Sequence, residues 1–297
     1  MVLAECKKKF PDRTFEIVGL STTGDKVLDK PLAEVGGAGV FTKELEQALF
    51  DKRVDFVVHS LKDVPTMVPN GLVIAATLLR DDPRDAFVSR NNVKFLDLPA
   101  GSKVATSSRR RAAQLGAHRK DLTFVDIRGN VPSRLRKLDE GHADGIVLAA
   151  AGLTRLGLAD RIVDYFTPSY SIPAAGQGAI GVECRTDDDE IFTLLGDIDD
   201  EIVRLETMAE RAFLARMGGG CSVPIGVLGR LDTASGELVL TACVADGDKV
   251  ITGEKVGTKY NANSLGIELA NEMLGRGAKE ILDSILQQKP QPSISPP

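Results

Sequence analysis

The stretch Val57-Val58-His59-Ser60-Leu61-Lys62-Asp63-Val64-Pro65 decides how the chain is interpreted. Residues 54–58 are largely apolar and predict a strand, which leads into polar residues and then a proline. Pro65 favours an extended or turn conformation for the residue before it, so Asp63 is predicted at the carboxyl end of a strand. Ligands collect at such ends in open α/β sheets. Asp63 is therefore our candidate reacting group, against the alternative of an acidic residue in a surface turn.

The composition is that of an ordinary globular protein. Its 297 residues allow two or three domains, and 43% hydrophobic and 27% charged residues exclude a disordered or collagen-like chain. No apolar run approaches the roughly 20 residues of a membrane span, and Met1 begins no secretory signal. We expect a cytoplasmic protein, or a plastid protein if a transit segment was removed. The cysteines are far apart and predict reduced thiols; they are Cys6, Cys184, Cys221 and Cys243.

Positive charge is concentrated in one part of an acidic chain. The net charge of -5 argues against a nucleic-acid partner, and we expect no membrane partner either. Between Lys103 and Lys137, however, there are ten lysines and arginines and only two acidic residues, Asp121 and Asp126. A local cationic zone of this kind indicates a small anionic ligand more than a polyanion.

The order of elements predicts two α/β domains and a small α+β domain. After residue 100 the pattern of strand, polar turn and helix recurs three times, which predicts a parallel sheet with its loops at one edge. We place the first domain at residues 1–78 and 179–196, the second at 84–172 and the third at 201–288. Residues 289–297 form a proline-rich tail that we expect to be disordered.

Individual elements follow from apolar spacing and from breakers. Helices are predicted over residues 1–10, 42–52, 109–115, 132–141, 201–216 and 264–287, and strands over 15–20, 54–58, 72–76, 103–106, 122–127, 146–150, 179–183, 223–228, 237–245 and 249–254. Thr42 is the expected cap of its helix. The glycine-rich residues 35–40 indicate a mobile loop, and Asp246-Gly247 indicates a hairpin turn.

Arginines follow successive strands of the second predicted domain. Thr106-Ser107-Ser108 precedes a helix, where free backbone N–H groups attract anions, and a guanidinium can bind a carboxylate through two hydrogen bonds. A single surface arginine is usually solvated, but five on one sheet edge predict a carboxylate-binding cleft. These five are Arg110, Arg111, Arg128, Arg134 and Arg155.

Cys221 is the candidate reactive thiol, because it follows three glycines on a predicted exposed loop. Cys184 and Cys243 lie in strand patterns and are expected to be inert. His59 has no second histidine near it in sequence, so we do not interpret it as a base. Metal-ligand spacing is absent from the sequence, and no metal is expected.

Motifs along nearly the whole chain resemble those of the porphobilinogen deaminase (hydroxymethylbilane synthase) family. The matching stretches are Thr23-Gly24-Asp25, Phe41-Thr42-Lys43-Glu44-Leu45, residues 58–65, Asp82-Pro83-Arg84-Asp85-Ala86, residues 106–111, Arg128-Gly129-Asn130, residues 151–158, Gly176-Gln177-Gly178 and Gly219-Gly220-Cys221-Ser222-Val223-Pro224.

The resemblance implies a fold, a reaction and a cofactor. The fold would be two α/β domains like a periplasmic-binding-protein (transferrin-like) pair around a cleft, with a third, α+β domain. A monomer would join four porphobilinogen units head to tail, with loss of ammonia, into hydroxymethylbilane for tetrapyrrole biosynthesis. A dipyrromethane cofactor would be attached through a thioether to Cys221.

The resemblance also assigns roles to residues. Asp63 would be catalytic and would contact the cofactor, and the remaining cofactor-binding residues would be Cys221, Lys62, Ser108, Arg110 and Arg111. The substrate-binding residues would be Ser60, Thr106, Arg128, Arg134, Arg155 and Gln177.

Two features depart from the family's pattern. Family members begin with a strand and an Arg-x-Ser turn before the first helix, whereas this sequence starts inside that helix, so we expect a truncated sequence with impaired activity. Ala38 stands where the mobile loop usually has a lysine. The alternatives are a solute-binding module for carboxylates and an inactive homologue; the first leaves Cys221 and the third domain without a purpose.

Overall fold

The computed structural model describes residues 1–26, 39–219 and 223–287. Its helices are α1 Val2–Lys9, α2 Thr23–Lys26, α3 Lys43–Phe50, α4 Arg109–His118, α5 Val131–Asp139, α6 Ala150–Arg155, α7 Asp189–Gly196, α8 Glu201–Arg216, α9 Ala262–Met273 and α10 Lys279–Gln287. Its strands are β1 Phe56–Ser60, β2 Leu72–Leu78, β3 Asp85–Ser89, β4 Lys103–Ala105, β5 Thr123–Val125, β6 Gly145–Ala149, β7 Asp164–Tyr165, β8 Ile180–Arg185, β9 Ile225–Leu231, β10 Glu237–Ala245 and β11 Val250–Thr258.

The first sheet has the strand order β1-β8-β2, and both pairings are antiparallel. The chain therefore returns to this sheet through β8, as the sequence predicts. Every residue of β8 is buried. On one face, Val182 and Cys184 pack in a cluster with Cys6 of α1 and Leu195 of α7. This apolar cluster holds β8 as the central strand, and β1 lies at an edge.

One prediction for the first part of the chain is wrong, and a second is confirmed only in part. Residues 15–20 do not form a strand, and Ile17 is 75% exposed. An apolar stretch becomes a strand only when a neighbour completes its backbone hydrogen bonds, and no described strand pairs with this segment. Thr42 occupies the predicted N-cap position of α3, but its side chain makes no capping hydrogen bond.

The second sheet has the order β5-β4-β6-β3-β7 and is mixed. The three predicted strand-turn-helix units supply β4, β5 and β6, which are parallel. The parallel arrangement predicted for these units is confirmed, and the sheet as a whole is mixed because β3 runs antiparallel to its neighbours β6 and β7. Asp85 begins β3 opposite Ala149, which ends β6. As a result, Asp85 lies at the edge where the parallel strands end.

The third sheet is an antiparallel meander of order β11-β10-β9. Residues 246–249 form its hairpin turn, with Gly247 at φ +102°. Helices α8 and α9 contribute Phe213 and Leu269 to the core beneath it. The predicted helix over residues 264–287 is interrupted, since Gly277 adopts φ +100° in a π-type turn between α9 and α10.

The predicted fold class, two α/β domains and a small α+β C-terminal domain, is confirmed. The exact domain boundaries stay a prediction. The expected disordered tail and most of the expected mobile loop, including Ala38, lie outside the described residues. Among the helices that the structure describes, none is long and apolar enough to cross a membrane.

Candidate active site

Asp63 lies where the sequence places it. Strand β1 ends at Ser60, and a single 3₁₀ turn, Leu61–Asp63, follows directly. Leu61 is 1% exposed and anchors the turn, while Asp63 is only partly exposed. Burial raises the pKa of Asp63, and the positive charges of Lys62, His59 and Arg134 oppose that rise. A single carboxylate thus stands at the end of β1 among cationic groups.

Lys62 is held beside Asp63 at the boundary of the two α/β sheets. Its Nζ donates to Oε1 of Gln177 at 3.4 Å. Burial lowers the pKa of Lys62 to about 8; the Asp63 charge opposes this shift and Arg111 adds to it. Lys62 therefore changes its charge close to neutral pH, which an exposed lysine does not do.

Asp85 organises a buried network that the sequence did not predict. Its carboxylate accepts from Nη1 of Arg110 at 2.7 Å, Nε of Arg111 at 2.9 Å, Nε2 of Gln177 at 2.9 Å and Oγ of Ser171 at 2.7 Å. Burial opposes ionisation, but Arg110 and Arg111 hold the pKa of Asp85 well below its usual range. Asp85 thereby fixes both guanidinium groups at the edge of the second sheet.

The predicted arginines differ in how they are held. Nε of Arg134 donates to the Gly129 carbonyl at 2.6 Å. Burial lowers the pKa of Arg134, and the positive charges of Arg111 and Arg128 lower it further, while Asp126 and Asp63 have the opposite effect. These five side chains therefore share one electrostatic neighbourhood. Cationic charge is in excess there, which suits a ligand with several carboxylates.

Arg155 is held by a different carboxylate. Its Nε donates to Oδ2 of Asp81 and its Nη2 to the carbonyl of Gly178, both at 2.6 Å. These bonds join the end of α6 to the segment between β2 and β3, which contains Asp81, and to the segment before β8, which contains Gly178. Arg155 itself is exposed.

The predicted polar residues around the arginines have defined places. Ser108 caps α4 by accepting from the N–H of Arg111 at 3.4 Å, and the Thr106 hydroxyl accepts from the N–H of Ser108 at 3.2 Å. Gln177 is buried and also donates to the Pro83 carbonyl at 2.7 Å. Ser60 is exposed at the end of β1. Internal hydrogen bonds consequently fix the positions of Ser108, Thr106 and Gln177.

The cysteines fall into two groups. Cys221 lies outside the described residues, so its distance from Asp63 stays a prediction. Cys6, Cys184 and Cys243 are buried free thiols. Burial raises the pKa of Cys184 to about 11 and of Cys243 to about 12, which keeps both thiols protonated and unreactive at neutral pH.

Sequence reasoning missed the groups whose partners are distant in the chain. His59 pairs with Glu183, 124 residues away, with 3.0 Å between Nε2 and Oε2. Arg211 of α8 donates to the carbonyls of Val64 and Pro65 at 3.0 and 2.7 Å. Asp85 lies within the quoted family motif, so that motif could have identified it.

Comparisons with known proteins decide the family. Residues 1–193 match the model of the porphobilinogen deaminase dipyromethane cofactor binding domain, and residues 204–275 match that of the porphobilinogen deaminase C-terminal domain. The chain belongs to the porphobilinogen deaminase family. A porphobilinogen deaminase from Chromobacterium violaceum is 47% identical over 289 residues, which cover 97% of this chain and 93% of the relative.

The family establishes the activity that the resemblance implied. The chain is a transferase of tetrapyrrole biosynthesis that joins porphobilinogen units into hydroxymethylbilane, and its cofactor is dipyrromethane. The solute-binding alternative is not favoured.

Some solved structures of binding proteins are also similar. The VFT2 domain of Bordetella pertussis BvgS is 17% identical, with a TM-score of 0.38 over 66% of this chain and 75% of that one. A periplasmic sulfonate-binding protein from Methylobacillus flagellatus is 19% identical, with a TM-score of 0.33 over 55% and 52% of the two chains. Similarity at this level carries no argument about the site.

Proposed function

We propose that Asp63 is the catalytic carboxylate for deaminating and joining porphobilinogen, in the cleft between the first two sheets. The observation that carries this proposal is the placement of Asp63 directly after β1, within the electrostatic reach of Lys62 and Arg134. Arg110 and Arg111 are already paired with Asp85. The Asp85 carboxylate is thus occupied, whereas Asp63 is available to act on the substrate.

Asp63 acts on the charge that appears as ammonia leaves. Loss of ammonia from the aminomethyl group leaves an electron-poor azafulvene, with positive charge shared by the pyrrole nitrogen. A carboxylate about 4 Å from that charge contributes about 4 kcal/mol at an effective dielectric near 20, or roughly a thousandfold in rate if realised in the transition state. Asp63 can also accept the proton that the attacking pyrrole carbon loses.

The cationic groups fit ligands that carry acetate and propionate side chains. Arg134 experiences the like charges of Arg111 and Arg128, a repulsion that bound carboxylates relieve. Lys62 and these arginines would hold the carboxylates of the cofactor and of the substrate, with Thr106, Ser108, Ser60 and Gln177 shaping their surroundings. Arg110 would act indirectly, through its hydrogen bonds to Asp85. Arg155 would bind substrate at the outer end of the cleft. When bound, dipyrromethane supplies the pyrrole to which the first unit is added.

The remaining assignments concern the chain as a whole. Cys221 carries the cofactor thioether, and the three domains end near residues 78, 172 and 288, with residues 179–196 belonging to the first. The enzyme works as a cytoplasmic monomer. Separate sheets with their own cores support the division into domains.

Intact mass tests the attachment of the cofactor to Cys221. Protein from cells that make porphobilinogen is expected to exceed the mass of the bare polypeptide by one dipyrromethane, and Cys221→Ser is expected to show the bare mass. Cys243→Ser is the matched control, because its thiol is buried and unreactive, and it should retain the added mass. A bare mass for the unsubstituted chain would contradict the assignment of an active deaminase.

A further inference from the structure

A buried histidine–carboxylate pair joins β1 to β8, just before the turn that carries Asp63. His59 of β1 and Glu183 of β8 have side chains that are 3% and 0% exposed, and 3.0 Å separates Nε2 from Oε2. The strand register sets His59 opposite Gly181 and Val57 opposite Glu183, so both polar side chains are diagonal neighbours on one face. The absence of a side chain at Gly181 leaves room for this diagonal contact.

The pair is poorly suited to a purely stabilising role. Oε1 of Glu183 is buried and has no hydrogen-bond partner among the described residues. A buried carboxylate with one unsatisfied oxygen costs stability, and apolar side chains of similar volume commonly serve a fold better. A buried oxygen left without a partner calls for an explanation other than packing.

The charged groups near the pair act on Asp63 or hold the backbone beside it. His59 and Asp63 are separated by one turn, and the positive charge of His59 opposes the rise in the pKa of Asp63. Lys62 and Arg134 face Asp63 from the other sides. On the far side, Glu183 lies within the electrostatic reach of Arg211, which holds the backbone just after Asp63. His59 is thus the link between Asp63 and a carboxylate that substrate does not reach.

We propose that His59 is a positioning residue for the deamination: Glu183 fixes its ring and supports a proton on it, and His59 in turn keeps Asp63 ionised. The inference rests on the proposed role of Asp63. Neither His59 nor Glu183 contacts the substrate. The pair holds the carboxylate ready before the pyrrole cation forms, so that charge stabilisation requires no rearrangement.

The pH dependence of turnover distinguishes this role from simple packing. In the holoenzyme, kcat should fall at acid pH as Asp63 is protonated. In His59→Gln the supporting charge is lost, so the acid limb of the kcat profile is expected to move up by about one pH unit. KM should change little, because the arginines that bind the carboxylates are intact. Intact mass confirms that each variant carries the cofactor.

Glu183→Gln distinguishes two explanations, because they predict shifts of the acid limb of the kcat profile in opposite directions. The amide can still accept from Nε2 of His59 but no longer supports a proton on the ring, so the acid limb is again expected to move to higher pH. If Glu183 were only a negative charge near Asp63, its removal would make Asp63 easier to ionise and would move the limb to lower pH. A shift to lower pH would overturn the proposal.

Val57→Ala is the matched control. Val57 is 5% exposed on the same strand and face, so its truncation destabilises the same region without removing charge. Its acid limb should stay at the wild-type position. An unchanged limb in either polar variant that folds and carries cofactor would assign the pair to structure alone. Asp63→Asn tests the catalytic role of Asp63 separately from the positioning role of His59. Wild-type turnover in that variant would overturn the proposed function itself.

Discussion

At the scale of single residues, neighbours determine what Asp63 and Lys62 can do. Both belong to one 3₁₀ turn, and burial acts on them in opposite directions. It raises the pKa of Asp63 and lowers that of Lys62 to about 8. The charge of each group opposes the pKa shift that burial causes in the other. The adjacent opposite charges suit a ligand with carboxylates and one developing cation.

Asp63→Asn is expected to lower kcat roughly a thousandfold, since a neutral amide of the same shape cannot oppose the pyrrole cation. Initial rates of porphobilinogen consumption measure the effect. Asp55→Asn is the matched control, because the Asp55 carboxylate is 74% exposed at the start of the same region, and its rate should be unchanged. Equal rates for the two variants would remove Asp63 from the mechanism.

The lowered pKa of Lys62 predicts a pH-dependent affinity. Because Lys62 loses its proton as pH rises through about 8, its attraction for substrate carboxylates weakens there. KM is therefore expected to rise between about pH 7 and 9. Lys62→Arg should abolish this rise, since a guanidinium keeps its charge over that range. The prediction fails if KM of the variant follows the wild-type curve.

At the scale of elements, the connections between the sheets are as constrained as the strands. Gly178 has φ +88°, and a Cβ there would lie 2.4 Å from the Asp81 carbonyl oxygen. Its own carbonyl accepts from Arg155. The segment after β2, which contains Asp81, and the segment before β8, which contains Gly178, therefore approach each other so closely that only glycine fits at position 178.

Gly178→Ala tests that close approach against conformational strain alone. Gly157 also has a positive φ, +69°, but nothing lies within 4 Å of its Cβ position. Gly157→Ala should cost about 1 kcal/mol of unfolding free energy from backbone strain. Gly178→Ala should cost at least about twice that, because the clash adds to the strain. Urea denaturation compares them, and equal losses would exclude a tight crossing.

At the scale of the whole molecule, Asp85 joins segments that are far apart in sequence. Its carboxylate connects β3 to Arg110 and Arg111 of α4 and to Gln177 in the returning segment. A second buried network joins Arg80 to Glu206 and Glu210 of α8, at 3.0 and 2.7 Å. The relative placement of the three sheets thus depends on polar contacts as well as on apolar cores.

Asp85→Asn is expected to destabilise the fold by about 3 to 5 kcal/mol at pH 7, because two buried guanidinium groups lose their carboxylate. The folded pKa of Asp85 is depressed, so its contribution is complete above the unfolded value near 3.9 and is lost as pH falls through the folded value. The stability gap between wild type and variant should therefore narrow below about pH 4.

Urea denaturation at several pH values measures this gap. Asp144→Asn is the control, because its pair with Arg90 at 3.6 Å is exposed and should contribute less than about 1 kcal/mol. A gap for Asp85→Asn that is independent of pH would contradict an ionised Asp85 network.

The sequence by itself determined the features of this protein that depend on residues close together in the chain. Apolar periodicity and breakers fixed helix α8 and strand β10 at their observed bounds and placed Asp63 after a strand. These features depend on residues a few positions apart, which act in any fold. The family motifs supplied the activity and the cofactor.

Only the tertiary structure decided which distant residues meet. Nothing in the sequence connects His59 to Glu183, and nothing in it pairs the arginines of α4 with Asp85. The direction of β3 and the failure of residues 15–20 to form a strand depended likewise on which strands were neighbours. Pairing across a sheet, and the burial that shifts a pKa, are set by chain packing, which a one-dimensional pattern does not contain.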